Sequence, residues 1–117
     1  MKGIKNLAVL AGLLGCLSFG VLHHGWANYD QTKPFDGSGT ITESTYENPH
    51  ASIKLKTKDK TWTVILAPVS PMETRGVTAD MVKKGATVRV VAYPHKEGKD
   101  EMRAERIFVG DKKFELR

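Results

Sequence analysis

The chain has 117 residues, of which 18 are Lys or Arg, 13 are Asp or Glu and one is Cys. Removal of an export segment of about twenty residues leaves one small domain with a single core, which excludes an active-site cleft between two domains. Because Cys16 lies in the N-terminal apolar run, the rest of the chain can form neither an intrachain disulfide nor a cysteine-based zinc or iron–sulfur site.

The net positive charge is modest once the N-terminal run is set aside. Lys2 and Lys5 lie in that run, so residues 21–117 hold 16 basic and 13 acidic residues, a net charge of +3. The two kinds of charge are interspersed, as on a solvated surface, whereas a nucleic-acid-binding domain has a dense basic patch. We therefore expect no nucleic-acid partner.

The first part of the chain is typical of an export signal. A short basic start precedes sixteen mostly apolar residues at 7–22, which is long for a signal core and slightly short for a membrane span. The small residues Ser18 and Gly20 favour cleavage after Gly20. We predict a signal peptide at residues 1–20 and a periplasmic or secreted protein.

Other fates of this segment stay open. Leu13-Leu14-Gly15-Cys16 is similar to a lipobox, in which case the cysteine is lipidated, becomes the first residue and anchors the protein in the envelope. The segment can also stay uncleaved and tether the domain, and cleavage after Ala27 fits the same small-residue rule. Membrane contact is expected only through this segment or through a lipid on Cys16.

A β domain is predicted at residues 34–117, after an extended N-terminal segment at residues 21–33. The residues Gly37-Ser38-Gly39 precede the first strand, and alternating apolar and polar residues indicate the strands that follow. Strands are predicted at residues 40–46, 51–57, 61–66, 86–93, 102–109 and 112–116.

One short helix is predicted between the third and fourth strands. Pro68 and Pro71 interrupt the strand pattern, Thr78 can cap a helix and Gly85 can end it. Five or six strands with one helix after the third predict a mainly β fold, a small OB-like barrel. A β-sandwich is the alternative.

Several short motifs resemble a known group of sequences. His23-His24-Gly25-Trp26, Glu47-Asn48-Pro49-His50 and Met72-Glu73-Thr74-Arg75-Gly76 resemble an uncharacterised family of short secreted bacterial proteins. Its members have His-His near the mature N-terminus and an Asn-Pro-His motif, and the similarity covers nearly the whole exported part. The resemblance implies no activity.

Histidines are the candidate metal ligands. Imidazoles without thiolates favour Cu(II), Ni(II) or Zn(II), and a proline before His50 and before His95 stiffens the backbone that presents them. We predict a divalent-metal site formed by His23, His24 and His50, with copper favoured and zinc or nickel as alternatives. Solvated or turn-capping histidines are the competing interpretation, and His95 is expected at the surface of a charged loop.

Cleavage after Gly20 adds a specific geometry to this site. His23 then lies third from the free amine of Val21. The amine, two deprotonated amides and the imidazole form a square-planar nitrogen set, which Cu(II) and Ni(II) prefer.

The sequence predicts a binding protein rather than an enzyme. It contains no nucleophile motif, no phosphate-binding glycine loop and no paired carboxylates at acid–base spacing. The alternative to metal binding is a metal-free envelope module that binds a small ligand, a peptide or a protein through a barrel face near Trp26, Tyr46 and Trp62. Met72, Met81 and Met102 are expected to pack in the domain rather than bind Cu(I).

The position of the mature N-terminus tests the chelate. We expect intact-mass analysis of the exported protein to show Val21 as the first residue, because Ser18 and Gly20 satisfy the small-residue rule. A terminus at residue 16 or residue 28 would exclude the third-position histidine, since Cys16 lipidation blocks the amine and cleavage after Ala27 removes His23.

Overall fold

The computed structural model describes residues 24–117, which form a β-barrel flanked by short helical segments. The strands are β1 (Phe35–Thr45), β2 (Ser52–Lys56), β3 (Thr61–Ile65), β4 (Thr87–Pro94), β5 (Glu101–Val109) and β6 (Lys112–Glu115). The helical segments are α1 (His24–Ala27), α2 (Val69–Thr74) and a 3₁₀ helix (Ala79–Val82).

Strand pairing closes the sheet into a five-stranded barrel. Strand β1 pairs antiparallel with β2 and β4, β2 pairs with β3, and β4 pairs with β5. A parallel pairing of β3 with β5, in which Ile65 lies opposite Arg103, completes the circle. Strand β6 extends the sheet beyond β5. This arrangement, with helical segments between β3 and β4, confirms the predicted OB-like barrel and excludes the sandwich.

The alternation of residues along the strands builds the core. In β2, Ile53 and Leu55 are buried while Lys54 and Lys56 are exposed. Strand β4 repeats the pattern, which is the period of two that strands impose. The largest fully buried side chains are Ile41, Ile53, Leu55, Leu66, Met72, Met102, Ile107, Val64, Val77, Val82 and Val90.

The first strand begins earlier than predicted, at Phe35 rather than at residue 40. Gly37 and Gly39 lie inside β1, where the strand changes its partner: its first half pairs with β4 and its second half with β2. A Cβ at Gly39 would collide with the carbonyl oxygen of Lys56. The glycine therefore permits a close approach of two strands rather than a turn.

The helical region also differs from the prediction. The segment after Thr78 forms only the short 3₁₀ helix. A separate helix, α2, precedes it in the chain and contains Pro71. Proline is tolerated there because the first turn of a helix needs no backbone N–H donor. Met72 of α2 and Val82 of the 3₁₀ helix are fully buried in the barrel core.

The predicted extended segment at residues 21–33 is folded where the structure describes it. After the turn α1, Tyr29 forms an isolated bridge with His95 in the β4–β5 loop. The Asp30 N–H donates to the Pro94 carbonyl at 2.8 Å, and the Lys96 N–H donates to the Asn28 carbonyl at 2.8 Å. Tyr29 is 7% exposed, so burial of its ring stabilises this segment on the barrel.

The predicted signal peptide, including Cys16, lies outside the described residues. Among residues 24–117, no helix combines the length and the apolar composition needed to span a membrane.

The close strand approach predicts different tolerances at two neighbouring glycines. Gly39→Ala should lower the free energy of unfolding by about 2 kcal/mol, because a clash with the Lys56 backbone forces the strands apart. Gly37→Ala is the matched control, since its Cβ meets only the end of the Phe35 ring, which can rotate away. Urea denaturation of both variants measures the difference, and equal losses would contradict the interpretation.

Candidate functional site

Arg103 lies at the centre of the region that joins the N-terminal segment to the barrel. Its neighbours Met102 and Ala104 belong to the core, so Arg103 faces outward from β5, yet it is only 8% exposed. The turn α1 covers it: Nη1 of Arg103 donates to the Gly25 carbonyl at 2.8 Å. The guanidinium carbon also lies 4.8 Å from the centre of the Trp26 ring.

A second guanidinium holds the same turn. The Cζ atom of Arg117 lies 4.2 Å from the centre of the Trp26 ring, and the edge of Tyr93 approaches that ring with 6.2 Å between centroids. Arg117 also donates to Gln31 at 2.7 Å. Cation–π contacts of this kind strengthen when they are shielded from water, so the start of the described chain is fastened to β5 and to the C-terminus.

The burial of Arg103 has no compensating carboxylate among the described residues. Its Nε atom is buried and has no hydrogen-bond partner within residues 24–117. Burial lowers the pKa of Arg103, the interaction with Tyr29 opposes this shift, and the nearby charge of Arg117 adds to it. Buried charges are usually paired, so this arginine is an unusual feature of the fold.

His50 is close enough to Arg103 for the two side chains to interact electrostatically. It is half-buried in the β1–β2 loop, the segment that contains Asn48 and Pro49. Burial lowers the pKa of His50, and the positive charge of Arg103 lowers it further. Both effects favour the neutral imidazole, which is the form that binds metal ions.

His95 occupies the other loop next to this region, between β4 and β5. Its Nδ1 atom accepts a hydrogen bond from the Glu97 N–H at 3.1 Å, and the edge of Tyr29 packs on its ring with 5.3 Å between centroids. With Nδ1 acting as an acceptor, the proton of the neutral ring resides on Nε2. The arrangement therefore leaves His95 without a free nitrogen lone pair for a metal.

Tyr29 and Glu101 form the polar contact beside His95. The Tyr29 hydroxyl donates to the Glu101 carboxylate. Burial raises the pKa of Tyr29, and the hydrogen bond to Glu101 adds to that effect. This pair connects the N-terminal segment to the first residue of β5 and occupies Glu101 with Tyr29.

The structure describes only some of the predicted metal ligands. His23 lies outside the described residues, and His24 is described only as the backbone start of α1. Among the side chains described in residues 24–117, no group of three or more His, Cys, Asp or Glu could hold a metal ion. The hydrogen bond between Arg103 and Gly25 nevertheless brings the chain directly after His24 close to the arginine that neighbours His50.

The methionines pack inside the domain, as expected. Met72 and Met102 are fully buried in the core, and Sδ of Met81 accepts a hydrogen bond from the Thr78 N–H at 3.5 Å.

The aromatic face predicted for a metal-free module is not a single cluster. Trp62 packs against Phe35 with 5.9 Å between ring centroids, and the Tyr46 hydroxyl donates to the Val77 carbonyl. Trp26 instead contacts Tyr93 and the two arginines. The three residues therefore take part in separate contacts.

The environment of His50 predicts a pH dependence of stability in metal-free protein. Its pKa in the folded state lies below the ordinary value of 6.5, so the unfolded state binds the proton first and stability falls as the pH drops from about 7 to about 5. His50→Gln should lose less stability over this range. Urea denaturation of both proteins with a chelator present measures the difference, and parallel pH profiles would contradict the assignment.

The fold has relatives of known structure. The chain is similar to the ZRD-deleted mutant of TiaS in complex with agmatine, with a TM-score of 0.51, 20% sequence identity and coverage of 68% of this chain and 22% of that one. The complex of TiaS with a tRNA and ATP gives a TM-score of 0.50 and 20% identity over 68% of this chain and 18% of that one. The chain thus spans about a fifth of the length of TiaS, and the likeness extends to the fold alone.

Comparisons by sequence gave fewer matches than the comparison by structure. A search of curated proteins gave no match. A family model matches residues 13–103, a span that takes in α1, the Asn48-Pro49-His50 segment and Arg103. The predicted membership of an uncharacterised family is thereby confirmed: the chain belongs to DUF6152, a family of unknown function.

Proposed function

We propose that the protein is a periplasmic binding protein that holds a divalent transition metal, with copper favoured, through His23, His24 and His50. The observation that carries the proposal is the hydrogen bond from Arg103 to the Gly25 carbonyl, 2.8 Å long. Gly25 directly follows the two histidines, and the same arginine is close enough to His50 to lower its pKa. One guanidinium thus contacts the segment that follows His23 and His24 and acts electrostatically on His50.

The protonation state of His50 supports a ligand role. A metal ion competes with a proton for the imidazole nitrogen, so a lowered pKa reduces that competition near neutral pH. The His50 ring is half-buried in the loop that joins β1 to β2. In OB folds this loop and the β4–β5 loop commonly bind ligands, and the β4–β5 loop here contacts the N-terminal segment through His95.

The charge of Arg103 favours copper or nickel over zinc. A guanidinium near His50 repels a bare dication. A Cu(II) or Ni(II) ion bound by an amine, two deprotonated amides and an imidazole carries no net charge, because the two amide anions balance the metal. A Zn(II) ion bound only by neutral imidazoles keeps its full charge. The chelate requires a free amine at Val21, which precedes the described part of the chain.

The same proposal accounts for the predicted location and partners. An N-terminal export signal would deliver the protein to the envelope, where a copper-binding protein exchanges its metal with another envelope protein. Metal handling or delivery, rather than catalysis, is the role we propose. The agmatine, tRNA and ATP bound by TiaS do not enter this proposal, because only the fold is shared.

Copper titration tests the proposal. The purified protein should bind one Cu(II) per chain and develop the visible absorption of a square-planar nitrogen set. His23→Ala should weaken binding by more than the roughly 10- to 100-fold that loss of an outer-shell partner causes. Smaller losses are expected for His24→Ala and His50→Ala.

His95→Ala is the matched control, because Nδ1 of His95 already accepts the Glu97 N–H, and it should bind copper like the unchanged protein. The proposal fails if the three ligand variants bind as tightly as the control. It also fails if the protein binds copper no more tightly than a scrambled peptide with the same histidines.

A further inference from the structure

We propose that Arg103 is the receptor for the carboxylate group of a small organic anion, which binds along the Nε and Nη2 edge of the guanidinium. This inference concerns a different ligand from the metal proposal, although both involve Arg103. It begins from the finding that the most deeply buried cation described in the structure has no negative partner among the described residues.

Two other arginines in the chain show how the Nε and Nη2 edge of a guanidinium pairs with carboxylates. Arg89 donates from Nε to one oxygen of Asp36 at 2.7 Å and from Nη2 to the other at 2.8 Å. Arg106 donates from Nε to Glu115 at 3.0 Å and from Nη2 to Glu105 at 3.1 Å, so two carboxylates share its edge. Both of these arginines are far more exposed than Arg103. Side-on pairing with a carboxylate is the geometry that suits the guanidinium fork.

Arg103 directs its other groups elsewhere. Nη1 donates to the Gly25 carbonyl, and Cζ lies 4.8 Å from the centre of the Trp26 ring. Nε remains buried without an acceptor in the part of the chain that the structure describes. A buried N–H without a partner costs more free energy than an average hydrogen bond contributes, so a carboxylate at this edge would satisfy the donor as well as the charge.

The nearby acids are already paired with other groups. Glu101 accepts from the Tyr29 hydroxyl, and Glu105 pairs with Arg106 and Arg117. Residues 1–23 contain no Asp or Glu, so the preceding segment cannot supply a side-chain carboxylate. Arg117, a charged neighbour of Arg103, repels it. The missing negative charge therefore fits a bound anion.

The enclosure of the site limits the ligand. Because Nε is buried, the ligand has to be small. A carboxylate fits this description and matches the two parallel donors. Chloride offers one centre without the spacing of two oxygens, and phosphate is larger and tetrahedral. The proposal therefore predicts a preference for carboxylates at equal ionic strength.

Nuclear magnetic resonance of the arginine Nε–H groups tests the proposal directly. Protein produced from the full coding sequence and freed of metal with a chelator is titrated with acetate and succinate, with sodium chloride and inorganic phosphate at matched ionic strength as reference arms. The Arg103 Nε–H signal should shift saturably with the carboxylates only. The Arg89 signal should stay in place, since Asp36 already occupies its fork.

Two variants measure how much the Arg103 guanidinium contributes to carboxylate binding. Arg103→Lys keeps the charge but loses the fork, so it should weaken carboxylate binding by about tenfold or more. Arg89→Lys is the matched control and should bind unchanged. An Arg103 signal that responds equally to chloride, or that does not saturate with carboxylates, overturns the proposal. That arm uses the unchanged protein, so it decides the question even if Arg103→Lys fails to fold.

Discussion

The burial of Arg103 under the first helical turn is the interaction on which the arrangement of the candidate site depends. It joins residues 25 and 103 across the chain through a hydrogen bond of 2.8 Å and a contact with the Trp26 ring. Removing a guanidinium from water is costly, and one carbonyl with one indole offsets only part of that cost. Unpartnered buried donors are rare in folded proteins, so such a group calls for a specific explanation.

The barrel determines which loops meet at this arginine. The parallel pairing of β3 with β5 puts Ile65 opposite Arg103, and Ile65 also pairs with Ser52, at the start of β2. The loop that carries His50 ends at that strand. The β4–β5 loop approaches from the other side through Tyr29 and His95. A uniform aliphatic core therefore supports a polar site built from segments that are far apart in sequence.

Local rules predicted most of the barrel but not the start of its first strand or its charged centre. Alternation located β2, β3 and β4 because each buries one face. The pair Gly37 and Gly39 indicated a break before the strand. Gly39 is instead required by the close approach of Lys56 on the neighbouring strand, and a local pattern does not reveal a contact between strands. Arg103 gave no signal because an outward position in a strand normally holds a solvated charge. The contacts of Gly25 and Trp26 with Arg103 join segments that are far apart in sequence, so a local pattern does not reveal them.

The two proposed ligands influence each other through charge. A cation held by His50 and the guanidinium of Arg103 repel each other, and a carboxylate on Arg103 removes much of that repulsion. Linkage then requires that the metal strengthens carboxylate binding by the same factor as the carboxylate strengthens metal binding. A neutral copper chelate at the N-terminus experiences little of this repulsion and needs no anion. Strong coupling between carboxylate binding and metal binding therefore indicates a charged metal at His50. Weak coupling indicates the neutral chelate at the N-terminus.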